Sequence, residues 1–134
     1  MMNVDELYTE LVLELYRNPV NKKILNNVDT SFRDNNPFCG DVVEIQVKFN
    51  NNSIKEIGFQ GEGCAISQAA ASVVTEIVKG KNTEDVLKLQ IGDVLKELHL
   101  ESLKNNPVRI KCAALSLKVL KLAVLKYFGK KEAS

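Results

Sequence analysis

No apolar run in this sequence approaches the roughly 20 residues that a membrane-spanning helix needs, so a membrane partner is not expected. The first amphipathic segment carries Asp5, Glu6, Glu10 and Glu14, a charge pattern foreign to secretory signals and transit peptides, which makes the cytoplasm the expected compartment. An excess of one charge is also missing: 18 basic and 17 acidic residues leave a formal charge of +1. That balance offers no broad field for nucleic acid or an anionic membrane, so partners must be recognised locally. Histidine is reduced to one, His99, in the Leu-rich stretch HLESL, and is read as a surface or core-edge residue rather than a ligand. The three cysteines, Cys39, Cys64 and Cys112, are odd in number and far apart. They make a poor disulfide framework, which leaves free thiols with chemistry to perform.

What the chain does have is 134 residues with 45% hydrophobic content, enough for one domain with a genuine core, taken here as residues 1–134. Val4, Leu7, Tyr8, Leu11, Val12 and Leu15 form the stripe of an amphipathic helix, with Asn3 and Glu6 in capping-box positions and Asn18-Pro19 as its stop. Residues 17–38 are polar and Asn-rich and read mostly as loop, with room for a helical turn or a short edge strand. Val43, Ile45, Val47 and Phe49 alternate with polar residues, the period of a half-buried strand. Asn50-Asn51-Asn52 turns the chain into a second strand from about Ile54 to Gln60, making an antiparallel hairpin. In that strand Ile54 is out of phase with Ile57 and Phe59.

After Gly61-Glu62-Gly63-Cys64 the period becomes helical, from Ile66 to Val78, with Lys79-Gly80 as the stop. Ala69, Ala70, Ala71 and Ser72 imply close packing of that helix. A short helix starts at Thr83, Ile91-Gly92-Asp93 reads as a break, and another turn or two includes Val94, Leu95 and Leu98. Asn105-Asn106-Pro107 provides a cap and first-turn proline for a long last helix to about Phe128. Lys118, Lys121 and Lys126 read as its solvated face. The expected fold class is α+β: a small antiparallel sheet with helices packed on one face.

The cysteines fall at junctions. Cys39 enters the first long strand and Cys64 leaves the second, so the hairpin brings them to one end. Cys112 lies early in the last helix on the stripe of Val108, Leu115 and Val119, facing the body. Three sulfurs are one ligand short of the tetrahedral set zinc prefers, and Asp41, two residues from Cys39 across Gly40, can be the fourth. Cys64 precedes a helix N-terminus, where free backbone N–H groups favour anionic ligands, and Arg109 and Lys111 neighbour Cys112. Gly61 and Gly63 are expected to keep the approach to Cys64 open. One oxygen among three thiolates should leave a bound cluster easier to pass on, since such clusters prefer sulfur. Taken without any family, separated cysteines are more often small buried hydrophobes than ligands. The Gly-x-Gly of GEGC lacks the Lys-Ser/Thr of a phosphate loop.

The stretches NPFCGD, GEGCAISQAAAS and RIKCAALSLKVLK resemble the three cysteine motifs of the iron–sulfur cluster assembly family of IscU, SufU and the N-terminal domain of NifU. The likeness runs from about Val4 to Phe128. It implies a SufE/NifU-like fold and a scaffold that takes sulfur from a cysteine desulfurase, builds a labile [2Fe–2S] cluster and hands it to recipient apo-proteins. The family's cysteines and aspartate carry over onto Cys39, Asp41, Cys64 and Cys112. The resemblance equally allows a zinc-dependent sulfurtransferase, in which those residues hold Zn²⁺ and Cys112 or Cys64 accepts persulfide sulfur. Lys111 stands where IscU has a histidine before the third cysteine, so RIKCA looks like SufU. Asn105-Asn106-Pro107-Val108-Arg109 replaces the motif that a dedicated Hsp70-type chaperone recognises, so the likeness does not extend to that partner. The typical SufU insertion between the second and third cysteines is mostly missing.

Overall fold

The computed structural model describes residues 4–37 and 40–133, with side chains described over 10–37 and 40–129. Cys39, and the Asn3 and Glu6 side chains of the expected capping box, lie outside the described residues. The first helix, α1, spans Val4–Arg17. Its buried Val12 and partly buried Leu15 join the core, which it enters against a later helix.

Three antiparallel strands follow, β1 (Thr30–Asn36), β2 (Asp41–Asn50) and β3 (Ser53–Glu62), in the order β1-β2-β3. β2 is read correctly from its alternation: Val43, Ile45 and Val47 have no exposed surface, while Glu44, Gln46 and Lys48 between them are half-buried. At the β2–β3 turn Asn51 has φ of 57°, a left-handed angle that Asn tolerates better than most residues. The register shifts between Lys48 and Phe49, so that Lys48 pairs with Glu56 and Phe49 with Ile54, leaving Lys55 as the extra residue. That bulge explains the phase of Ile54, which is buried together with Ile57 and Phe59.

The sequence reading of residues 17–38 as mostly loop holds up to Asp29, after which β1 is the edge strand. Its sequence TSFRDNN has one apolar residue, Phe32, packed on the core. Its polar ends are satisfied in other ways. The Thr30 hydroxyl donates to the Ala123 carbonyl at 2.8 Å, and Asp34 pairs with Lys118 at 3.0 Å.

Helices α2 (Ala65–Val78), α3 (Thr83–Lys88), α4 (Ile91–Glu97), a 3₁₀ turn (Glu101–Asn105) and α5 (Arg109–Ala133) complete the chain. The expected break at Ile91-Gly92-Asp93 is instead the first turn of α4, because Gln90 and Asp93 form a reciprocal capping box there. Asn106 caps α5, its Oδ1 accepting from the N–H groups of Val108 and Arg109. The last helix does not end at Phe128; its backbone continues through Gly129 to Ala133. Ala69, Ala70 and Ala71 are fully buried, and α2 packs between α1 and α5 as well as on β3.

α5 lies across β1 and β2. At one end of the sheet Phe49 stacks on Tyr127 with centroids 4.7 Å apart and meets Phe128 edge-on at 5.7 Å. Such pairs add about 0.5–1.5 kcal/mol each beyond area burial, and they fix the helix lengthwise. Its other end, which carries Cys112, is thereby held over the β1–β2 turn. Of the lysines expected to form a solvated face, Lys118 and Lys126 bind back to β1, the latter donating to the Ser31 carbonyl at 3.2 Å. Among the described residues no helix is long and apolar enough to cross a membrane.

Candidate metal centre

Three separate elements deliver side chains to one end of the sheet. Asp41 is the first residue of β2, Cys64 is the N-cap of α2, and Cys112 lies in the first turn of α5. The antiparallel register sets Val42 opposite Glu62, so the entrance of β2 lies beside the exit of β3. One donor atom from each of Asp41, Cys64 and Cys112 lies within 4.8 Å of the other two. Their environments differ: Asp41 is fully buried, Cys112 is 4% exposed, and Cys64 is exposed.

Asp41 is held by the backbone of Cys64. Its Oδ1 accepts from the Cys64 N–H at 2.9 Å, and its Oδ2 lies 3.9 Å from Cys64 Sγ. The Cys64 N–H is one of the donors that a helix N-terminus leaves without an intrahelical partner, and Cys64 makes no side-chain cap. The aspartate of one strand thus caps the helix that carries the thiol. The Cys64 carbonyl in turn accepts from Ser67 Oγ at 3.0 Å and from the Gln68 N–H at 3.2 Å. Cys112 Sγ receives the Asn36 side-chain amide Nδ2 and approaches the Val108 carbonyl, each at 3.9 Å.

Two glycines make this possible. Gly40 has φ of +70°, closing the turn in which its N–H donates to the Asn36 carbonyl at 2.9 Å. At Gly63 a Cβ would strike the Asp41 carboxylate and sit 2.7 Å from Ser67 Oγ, so the missing side chain makes room for the carboxylate. At Gly61 a Cβ would run into the Val42 carbonyl, again a close backbone approach.

The donor set fits a tetrahedral ion. Metal–sulfur bonds of about 2.3 Å and metal–oxygen bonds of about 2.0 Å imply donor–donor separations of about 3.5–3.8 Å. The sulfur–oxygen distance of 3.9 Å between Cys64 and Asp41 is already close to that. Sequence reasoning identified all three residues and placed them together; its fourth, Cys39, lies outside the described residues. His99, with φ of 58°, is exposed, as its setting suggested. The residue that sequence reasoning missed is Asn36. The signal available was its place three residues before Cys39, at the base of the β1–β2 turn.

Comparison with known proteins agrees with this geometry. Residues 7–134 match the family described as NifU-like N terminal domain. The chain is 36% identical over 145 residues to the zinc-dependent sulfurtransferase SufU of Bacillus subtilis (strain 168), covering 95% of each. It is 35% identical over 130 residues to the iron–sulfur cluster assembly scaffold protein IscU of Escherichia coli (strain K12), covering 94% of this chain and 98% of that one. The fold is shared with the crystal structure of an N-terminal nitrogen-fixing NifU-like protein from Brucella abortus. The TM-score is 0.81 at 18% identity, over 95% of this chain and 98% of the other.

Proposed function

This chain belongs to the NifU-like N-terminal domain family, and from that premise we propose that it is an iron–sulfur cluster assembly scaffold acting as a single unit over its whole length. It receives sulfur from a cysteine desulfurase, assembles a labile [2Fe–2S] cluster as cargo and passes it to recipient apo-proteins in the cytoplasm. Cys39, Asp41, Cys64 and Cys112 are the proposed ligands. The observation that carries this reading is the convergence of donor atoms from β2, the α2 cap and α5 within 4.8 Å. A cysteine that merely fills core volume has no reason to meet a buried carboxylate and a second sulfur from distant segments.

The roles follow from burial and donor chemistry. Cys64 is exposed and offers its sulfur to an incoming partner, whereas Cys112 is held among core residues and anchors the site. Asp41 contributes the one hard oxygen to a set otherwise soft, which weakens retention of a cluster that prefers thiolates throughout.

A second reading is favoured by the SufU relative: a zinc-dependent sulfurtransferase, in which the same four side chains hold Zn²⁺. A thiolate, Cys64 or Cys112, attacks the outer sulfur of the desulfurase persulfide. A new S–S bond forms on the acceptor as the desulfurase cysteine leaves as thiolate. The alignment to SufU spans 145 positions, more than the 134 residues of this chain, so SufU carries residues that this chain lacks.

Anaerobic incubation with iron, cysteine and a cysteine desulfurase separates the readings. A scaffold develops the visible absorption of a cluster and then loses it to an apo-ferredoxin. A colourless protein that retains stoichiometric zinc and accelerates desulfurase turnover supports the sulfurtransferase. Zinc with neither behaviour overturns both.

A further inference from the structure

Asn36 stands at the crossing of the two structures that build the centre. Through its backbone it closes β1: it is paired with Asp41 in the strand register, and its carbonyl accepts the Gly40 N–H at 2.9 Å. These bonds bracket the turn whose sequence holds Cys39. Through its side chain it reaches a different element, its Nδ2 donating to Cys112 Sγ of α5 at 3.9 Å. The residue is only 6% exposed, so the amide points into the protein instead of water.

A buried amide N–H aimed at a sulfur is chemically specific. It withdraws electron density from the sulfur lone pairs, which weakens electron donation to a bound metal, and it fixes the direction in which the remaining lone pairs point. The Cys64 sulfur instead lies toward the carboxylate Oδ2 of Asp41 at 3.9 Å, an acceptor. Cys112 Sγ also lies 3.9 Å from the Val108 carbonyl, but the side chain that reaches it is a donor, whereas the side chain that reaches Cys64 is an acceptor.

We propose that Asn36 is a positioning residue of the metal centre, its side-chain amide holding the Cys112 sulfur in ligating orientation on the β1–β2 hairpin and lowering that sulfur's donor strength. This rests on the reading of Asp41, Cys64 and Cys112 as ligands. It makes the centre electronically uneven, with the anchored sulfur the weaker donor.

Co²⁺ alone serves as the probe, because its sulfur-to-cobalt charge-transfer absorption reports donor strength directly. Asn36→Leu keeps the size and removes the donor; Asn36→Gln keeps an amide. The expected result is that Asn36→Leu binds Co²⁺ about 10–100-fold more weakly, the usual loss for a partner behind a ligand. Its charge-transfer band moves to lower energy, and Asn36→Gln restores part of both. Circular dichroism and the thermal midpoint of the metal-free variants establish that the fold is kept. An unmoved band in folded Asn36→Leu overturns the proposal, whatever the affinity does. Should the unaltered protein bind Co²⁺ without any thiolate charge-transfer band, the ligand assignment itself fails, a result distinct from the variant's.

Discussion

Replacing Gly63 by alanine tests how the carboxylate is seated. The added methyl would lie 2.8 Å from Asp41 Cγ and 2.7 Å from Ser67 Oγ, where ordinary contact begins at 3.4 Å. Both groups must therefore retreat, Ser67 Oγ by about 0.7 Å and the Asp41 carboxylate, whose Oδ1 is closer still, by more. Neither can do so freely: Asp41 is fully buried and bonded to the Cys64 N–H at 2.9 Å, and Ser67 is 1% exposed and bonded to the Cys64 carbonyl. Overpacking of a tight site costs about 1–3 kcal/mol, and losing the bond that caps α2 about 1–3 kcal/mol more. The metal-free Gly63→Ala protein should thus be about 2–6 kcal/mol less stable in urea unfolding. Its zinc affinity, measured against a chromophoric chelator, should fall at least about tenfold because the oxygen ligand is displaced. Gly40→Ala is the contrast, since among the described residues no atom beyond its chain neighbours lies within 4 Å of its would-be Cβ, and the φ of +70° is what strains it. It should cost about 1–2 kcal/mol, with Gly40→Asn recovering part. A Gly63→Ala protein with the original unfolding midpoint and zinc affinity would refute the close-approach argument.

Three further outcomes follow from the same geometry. Asp41→Ala should lengthen the life of a reconstituted cluster, followed by its visible absorption under a chelator challenge; a shorter life contradicts the role given to the hard oxygen. In the native metal-free protein, exposed Cys64 should be alkylated well before Cys112, which is 4% exposed, with the difference vanishing in denaturant; equal rates in the native state contradict the burial pattern. The Lys118 ammonium, then the Asn35 N–H, hold the Asp34 carboxyl below its ordinary value of 3.8. Its contribution is therefore complete above that value and lost as pH falls through the lowered one. Asp34→Asn should cost about 0.2–1 kcal/mol at neutral pH, less at high salt, and nothing once the carboxyl is protonated. A cost that persists in acid would point away from the ion pair.

The sequence revealed most where pattern and burial coincide. β2 alternates because one face is core, and α2 shows a helical period because it lies between other helices. That Asp41, Cys64 and Cys112 would meet was legible because each sits at the junction of clearly patterned elements. β1 was obscure because an edge strand tied down by Thr30, Asp34 and Asn36 has little apolar alternation to display. Ile54 looked misplaced because a bulge at Lys48/Phe49 restores it to the core, information held in the pairing of two strands. Gly92 suggested a break and the last helix an end near Phe128, yet a capping box and the continuing α5 carry the helices through. In the site, the capping of α2 by Asp41 and the reach of Asn36 to Cys112 depend on distances between segments that no local pattern encodes.

If side chains from the hairpin, the α2 cap and α5 bind one ion together, X-ray absorption at the zinc edge of the loaded protein should show a four-coordinate shell of three sulfurs at about 2.3 Å and one oxygen at about 2.0 Å, falling to two sulfurs in Cys112→Ser. A shell without sulfur, or one that Cys112→Ser leaves unchanged, would refute the shared site.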